Sequence, residues 1–151
     1  MENIRHRIIP TLLIKGEGLV KGIQYKNHKY IGDPINAIRI FNEKEVDELL
    51  FLDVNASSQR RVIDLDLVKK LADECYMPFS VGGGITTTNQ IGDILRVGAE
   101  KVIINTSTLD NVQLLRESSL IFGSQAIMAS IDYKYNWFGR KKLCFYNGNK
   151  S

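Results

Sequence analysis

The sequence predicts an α/β fold built on a parallel β-sheet. Short β-rich runs alternate with helical patterns along the chain, and this alternation is typical of parallel sheets. Most of the β-rich runs are nearly continuous in apolar residues, as in strands that are buried on both faces. Successive runs start about 25 to 40 residues apart, which is the range of a βαβ unit. An open doubly wound sheet and a closed (β/α) barrel both fit these observations.

Five segments are predicted as strands, because each is short, apolar and bounded by turn-forming or charged residues. In chain order they are Ile8–Ile14, Glu48–Val54, Pro78–Val81, Lys101–Asn105 and Gln125–Asp132.

Helical patterns fill the intervals between these strands. Asp33 followed by Pro34 is a favourable start for the first helix, and Gly98 and Gly123 stand where the third and fourth helices should end. The predicted helices are Pro34–Val46, Asp64–Cys75, Thr88–Val97 and Asn111–Phe122. Near the end of the chain, Lys142–Tyr146 is strand-like and is followed by Asn147-Gly148, which predicts an incomplete hairpin whose second arm lies beyond Ser151.

The composition indicates an ordinary globular protein, with 44% hydrophobic and 25% charged residues and a net charge of +3. Its basic residues form no stripe with interleaved aromatics, so we expect no nucleic-acid partner. No apolar run approaches a membrane span and no signal-type segment follows the N-terminus, so we expect no membrane partner. The two cysteines, Cys75 and Cys144, form no metal-binding pattern. We therefore expect a cytoplasmic protein without a metal or another cofactor.

Polar residues follow the predicted strands at the edge where parallel α/β folds place their active sites. Gly82, Gly83 and Gly84 would let backbone N–H groups approach an anion, although a tight strand-to-helix turn also explains them. Asn105 and Thr106 add donors at the end of the neighbouring strand, and together with the glycines they favour a phosphate site.

Two carboxylates also stand at strand ends. Asp132 is a candidate general acid or base, with a helix-cap or ion-pair role, for example with Lys134, as the alternative. Asp53 could instead cap the Asn55-Ala56-Ser57 turn. His6 and His28 lie in loop-like stretches and are expected to be solvated rather than catalytic.

Taken together, the motifs resemble the cyclase (HisF-type) subunit of imidazole glycerol phosphate synthase. They occur in the family's order and nearly its spacing, from Arg7 to about Gly148. They are Arg7-Ile8-Ile9-Pro10, Val20-Lys21-Gly22, Gly32-Asp33-Pro34, Asp47-Glu48-Leu49, Phe51-Leu52-Asp53, Ala56-Ser57, Val81-Gly82-Gly83-Gly84-Ile85, Gly98-Ala99, Lys101-Val102, Ile104-Asn105-Thr106, Phe122-Gly123-Ser124-Gln125 and Ile131-Asp132.

The resemblance implies a TIM (β/α)8 barrel made of two similar halves, in which residues 1–151 would supply four βα units and a fifth strand of a domain of about 250 residues. It implies a glutaminase (HisH-type) partner that supplies ammonia, and a substrate that carries two phosphates. By resemblance, Gly84, Asn105 and Thr106 belong to one phosphate site, and Lys21 lies in the first loop, which closes over substrate. Arg7, Glu48 and Lys101 match charged residues at the opposite mouth, where ammonia enters.

One position departs from the family pattern. The cyclase uses two aspartates as general acid and base, and while Asp132 matches one of them, Leu13 stands where the other should be. Leucine cannot transfer a proton. In this respect the chain resembles a branch of the family that is associated with surface polysaccharides. The resemblance implies that ammonia passes to a sugar amidotransferase that makes an acetamidino sugar. A true histidine-pathway cyclase and a non-catalytic half-barrel fragment remain the alternatives.

Overall fold

A computed structural model describes residues 6–23, 26–105, 107–108 and 111–144 of the chain. Within these residues the main sheet has seven strands in the order β3-β2-β1-β4-β5-β6-β7. The strands are β1 (Thr11–Lys15), β2 (Gly18–Ile23), β3 (Lys26–Gly32), β4 (Leu49–Asp53), β5 (Phe79–Gly82), β6 (Lys101–Ile104) and β7 (Ile127–Ala129).

The five predicted strands are β1, β4, β5, β6 and β7, and neighbours among them pair in parallel. The prediction of a parallel sheet is therefore confirmed. The fifth strand is shorter than predicted, because Ser124–Ala126 forms a 3-10 turn before it. Asp132 follows β7 and begins a separate strand.

Helices connect the parallel strands in chain order. They are α1 (Pro34–Glu43), α2 (Leu65–Glu74), α3 (Thr88–Arg96) and α4 (Val112–Phe122). Asp33 caps α1 as predicted, since its carboxylate accepts hydrogen bonds from the N–H groups of Ile35 and Asn36. This helix ends earlier than predicted because the chain turns at Glu45, whose φ is +52°.

Each helix contacts the next one along the chain, so the helices form one layer on one face of the sheet. Their apolar side chains pack against the strand residues that face them, which are fully or almost fully buried. These strand residues include Leu49, Phe51, Val81, Val102 and Ile104. A single helical layer outside a parallel sheet is the architecture of a partial (β/α) barrel rather than of an open doubly wound sheet.

Two hairpins correct the sequence-based prediction. The segment after β1 is an antiparallel hairpin, β2–β3, which extends the sheet beyond β1, whereas the sequence suggested only a loop there. The strand β9 (Lys141–Cys144) pairs antiparallel with β8 (Asp132–Tyr135) and is therefore the second arm of a hairpin that was not predicted from the sequence. Its turn is held by Asn136, whose side-chain oxygen accepts hydrogen bonds from the N–H groups of Phe138 and Arg140. Asn147-Gly148 lies outside the described residues.

None of the helices in the described part of the chain is long and apolar enough to cross a membrane.

Candidate functional site

A cleft of about 410 Å³ opens at the C-terminal ends of the parallel strands. Strand ends, the loops that follow them and the β2–β3 hairpin contribute its walls. Its lining residues are Leu13, Gly22, His28, Leu52, Asp53, Val54, Ser57, Gly82, Gly83, Gly84, Ile85, Ile103, Asn105, Ser107, Ser130 and Asp132. The cleft thus combines an apolar floor with polar groups at its rim.

The floor of the cleft is one layer of inward-facing positions across the sheet. Leu13 pairs with Leu52, Leu52 with Gly82, and Gly82 with Ile103. Paired residues in neighbouring parallel strands project to the same face. A Cβ atom at Gly82 would lie 2.8 Å from the Leu52 side chain and 3.0 Å from that of Ile103, so these two side chains close over the glycine.

The two following glycines shape the rim. Gly83 and Gly84 have φ values of +145° and +64°, which residues with a side chain rarely adopt. A Cβ atom on Gly84 would lie 1.8 Å from the carbonyl oxygen of Arg61, so no other residue fits without a shift of the backbone. The close approach of this loop to the chain at Arg61 leaves backbone rather than side chain at this edge of the cleft.

Asn105 connects the end of β6 to the segment after β7. Its side-chain nitrogen donates hydrogen bonds to the carboxylate of Asp132 at 3.0 Å and to the hydroxyl of Ser130 at 3.2 Å. The amide therefore orients the Asp132 carboxylate at the cleft. Ser107 is also held at the rim, since its hydroxyl donates to the carbonyl of Ile85 at 2.6 Å. Thr106, the remaining predicted phosphate residue, lies outside the described residues.

Asp53 has the capping role that was considered for it. One carboxylate oxygen accepts hydrogen bonds from the N–H groups of Asn55 and Ala56, at 3.0 and 3.1 Å. The other oxygen lies 2.6 Å from the Arg61 guanidinium. With both oxygens engaged, Asp53 holds the loop after β4 in place.

A second polar cluster lies at the opposite, N-terminal ends of the strands. The buried carboxylate of Glu48 accepts a hydrogen bond from Lys101 Nζ at 2.8 Å and one from the Ser80 hydroxyl at 2.6 Å. Burial raises the pKa of Glu48, but the hydrogen bonds and the positive charges of Lys101 and Arg7 outweigh it and hold this pKa below its ordinary value. Burial lowers the pKa of Lys101, whereas Glu48 and Glu100 raise it, and the net shift is upward.

The structure therefore brings the predicted residues together in two groups. Gly82, Gly83, Gly84, Asn105 and Asp132 surround the cleft. The other group, Glu48 and Lys101 with the charge of Arg7, lies at the far end of the strands. Lys21 lies on β2, is exposed and does not line the cleft.

Sequence reasoning missed other cleft residues, notably His28 and Ser130. His28 was expected to be solvated, but it is half-buried on β3 and lines the cleft. Neither residue belongs to a motif, and only the three-dimensional arrangement of the hairpin and of the chain after β7 reveals them. Among the described residues, no group of three or more His, Cys, Asp or Glu side chains is arranged to hold a metal ion.

Comparison with known proteins places these features in context. The sequence profile of the family described as histidine biosynthesis protein matches residues 7–151. A Pseudomonas aeruginosa protein provisionally named imidazole glycerol phosphate synthase subunit hisF2 is 46% identical over 97% of this chain and 59% of its own length. The imidazole glycerol phosphate synthase subunit HisF of Leptospira biflexa is 42% identical over 100% of this chain and 59% of its own length. The corresponding subunit of Thermococcus onnurineus is 45% identical over 86% of this chain and 52% of its own length. The chain thus spans somewhat more than half the length of the curated relatives it matches.

Proposed function

Because the chain belongs to the histidine biosynthesis protein family, we propose that it acts as an ammonia-handling, cyclase-like subunit of the imidazole glycerol phosphate synthase type. In this proposal a HisH-type glutaminase supplies ammonia at the Glu48–Lys101 end of the strands. A phosphorylated substrate occupies the cleft at the other end. A cytoplasmic location is part of the same proposal.

One observation carries this proposal: the two polar groups lie at opposite ends of the same parallel strands and have apolar positions between them. Glu48 precedes β4 and Lys101 begins β6, whereas Asp132 and the glycine loop lie at the cleft. The floor layer of the cleft separates the two. Neutral ammonia can pass through an apolar interior, but an ammonium ion must first lose its charge to do so. A charged entrance followed by an apolar interior suits the delivery of ammonia to the cleft.

The phosphate part of the proposal rests on the rim. Gly82, Gly83 and Gly84 carry no side chains of their own, and the end of β6 at Asn105 lines the same cleft. Isothermal titration with inorganic phosphate tests this site. We expect Asn105→Ala and Thr106→Val to weaken phosphate binding, whereas unchanged affinity in both variants would refute the site. Lys21 is proposed to approach the ligand only when the hairpin moves. Lys21→Met should therefore weaken the binding of phosphorylated substrates.

The fate of the ammonia is the finer part of the proposal. Leu13 lies in the apolar floor of the cleft, where a second proton-transfer group would be needed for cyclase chemistry. We propose that cyclase activity is reduced and that ammonia serves a sugar amidotransferase making an acetamidino sugar. The competing function is that of a true histidine-pathway cyclase, which the names of the relatives favour. A non-catalytic fragment is the remaining alternative.

Reconstitution of the protein with the HisH-type glutaminase of the same genome tests the ammonia route. Glutamine hydrolysis and ammonia release to solvent are measured together. We expect Lys101→Met to release more ammonia to solvent per glutamine hydrolysed than wild type does, because the charged entrance is lost. The control Lys134→Met changes an exposed lysine on β8 and should behave as wild type. The route is refuted if the protein forms no complex with the glutaminase, or if both variants release the same amount of ammonia.

A further inference from the structure

His28 is held at the cleft by an irregularity in the β2–β3 hairpin. Lys21 pairs with Lys29, and the next paired positions are Ile23 and Lys26. Between these pairs, Gly22 on β2 faces two residues on β3, Asn27 and His28. This two-against-one arrangement is a β-bulge, a feature that re-aims side chains and often occurs next to functional sites.

The backbone at the bulge supports this description. Asn27 has a φ of +53°, in the left-handed region that asparagine tolerates better than most residues. Positive φ in a residue other than glycine costs free energy that the surrounding structure must offset. Gly22, opposite the bulge, contributes no side chain, and both Gly22 and His28 line the cleft. The local distortion thus directs an imidazole towards the cleft.

The charged side chains around the cleft indicate which role the imidazole of His28 can have. The titratable side chains lining the cleft are His28, Asp53 and Asp132. Asp53 forms an ion pair with Arg61 at 2.6 Å, and the carboxylate of Asp132 accepts a hydrogen bond from Asn105. Lys21 and Lys29 belong to the same hairpin but do not line the cleft. Among the described lining residues, His28 is therefore the side chain that can supply positive charge to an anion.

We propose that His28, aimed by the Asn27 bulge, is an anion-binding residue of the cleft and makes phosphate-group recognition dependent on pH. This inference rests on the proposed phosphate-binding function and assigns a further residue to that site. Imidazoles change charge between about pH 5 and pH 8, and the charged form donates hydrogen bonds from both ring nitrogens. Anions should therefore bind better on the acidic side of this range.

Isothermal titration with sulfate is the test, because sulfate keeps its charge across this range whereas phosphate does not. We expect wild type to bind sulfate at least about tenfold more tightly at about pH 5.5 than at about pH 8.5, the size of one charge-assisted hydrogen bond. The variant His28→Gln should bind weakly at both values, with little dependence on pH. The control is His6→Gln, because His6 is exposed, does not line the cleft and is the chain's other histidine.

A second measurement does not depend on any variant folding. The two histidines should give two sets of imidazole signals in NMR spectra of the wild-type protein, and sulfate should shift the His28 set while leaving the His6 set in place. The inference about His28 is overturned if sulfate binds and leaves the His28 signals unmoved, or if His28→Gln has the same affinity and pH profile as wild type. Either result leaves the proposed phosphate site standing. If neither sulfate nor phosphate binds at either pH, the proposed phosphate site is refuted together with this inference.

Discussion

The ammonium group of Lys101 lies 2.8 Å from the carboxylate of Glu48, although the two residues are 53 positions apart in the chain. Lys101 and Glu48 retain only 16% and 3% of their side-chain exposure. The second carboxylate oxygen of Glu48 accepts the hydroxyl of Ser80 at 2.6 Å. Both oxygens of a buried carboxylate are thus satisfied, which is the condition under which such a pair is tolerated.

Removal of the lysine should destabilise the fold. We expect Lys101→Met to lower the free energy of unfolding by roughly 3 kcal/mol, because it leaves the Glu48 carboxylate buried without its cation. The double variant Glu48→Leu/Lys101→Met should recover most of this loss, since no charge then remains buried. Urea denaturation measures both. A Lys101→Met protein as stable as wild type would show that the pair does not contribute to stability.

The same pair should make stability depend on pH in the acid range. The folded-state pKa of Glu48 is below its ordinary value of 4.5, so its contribution is fully present above that value and is lost as the pH falls through the folded-state pKa. Wild type should therefore lose more free energy of unfolding than Glu48→Gln between about pH 6 and about pH 3. Parallel acid profiles for the two proteins, measured by urea denaturation at each pH, would contradict this.

The glycine loop provides a prediction with a matched control. Gly84 and Gly16 have nearly the same φ, +64° and +62°, but a Cβ at Gly84 would lie 1.8 Å from the Arg61 carbonyl whereas one at Gly16 would meet nothing within 4 Å. Gly16→Ala should cost only the conformational strain, about 1 to 2 kcal/mol. Gly84→Ala should cost clearly more and should also weaken phosphate binding. Equal losses of stability in the two variants would show that the contact with Arg61 does not restrict this position.

The main architecture could be predicted because its signals are local. The apolar runs of the parallel strands and the cap at Asp33 depend on residues that are close in sequence, and the structure confirms them with small shifts at their ends. The β2–β3 hairpin could not be predicted in the same way. Its strands carry Lys21, Lys29 and glycine. They are stabilised by the pairing of β2 with β1 and of β3 with β2 rather than by their own composition.

The candidate site was predictable only in part for a related reason. Gly84 and Asn105 stand at strand ends, so a parallel sheet necessarily brings them to one edge. His28 reaches the same cleft through a bulge at Asn27, which no periodic pattern encodes. Ser130 becomes part of the site through its contact with Asn105. Such contributions depend on tertiary contacts and not on spacing along the chain.

Turnover of the two-phosphate substrate of the family's cyclase, with ammonium as nitrogen source, tests the central claim most directly. Leu13 lies in the floor of the cleft that Asp132 also lines, and loss of one member of an acid/base pair typically costs about 100-fold to 10,000-fold in rate. In a version of the protein that spans the full length of its relatives, we predict slow turnover without substitutions, faster turnover by Leu13→Asp, and loss of that gain when Asp132→Asn is added. Rapid turnover by the unmodified protein would contradict the account and would favour a true histidine-pathway cyclase.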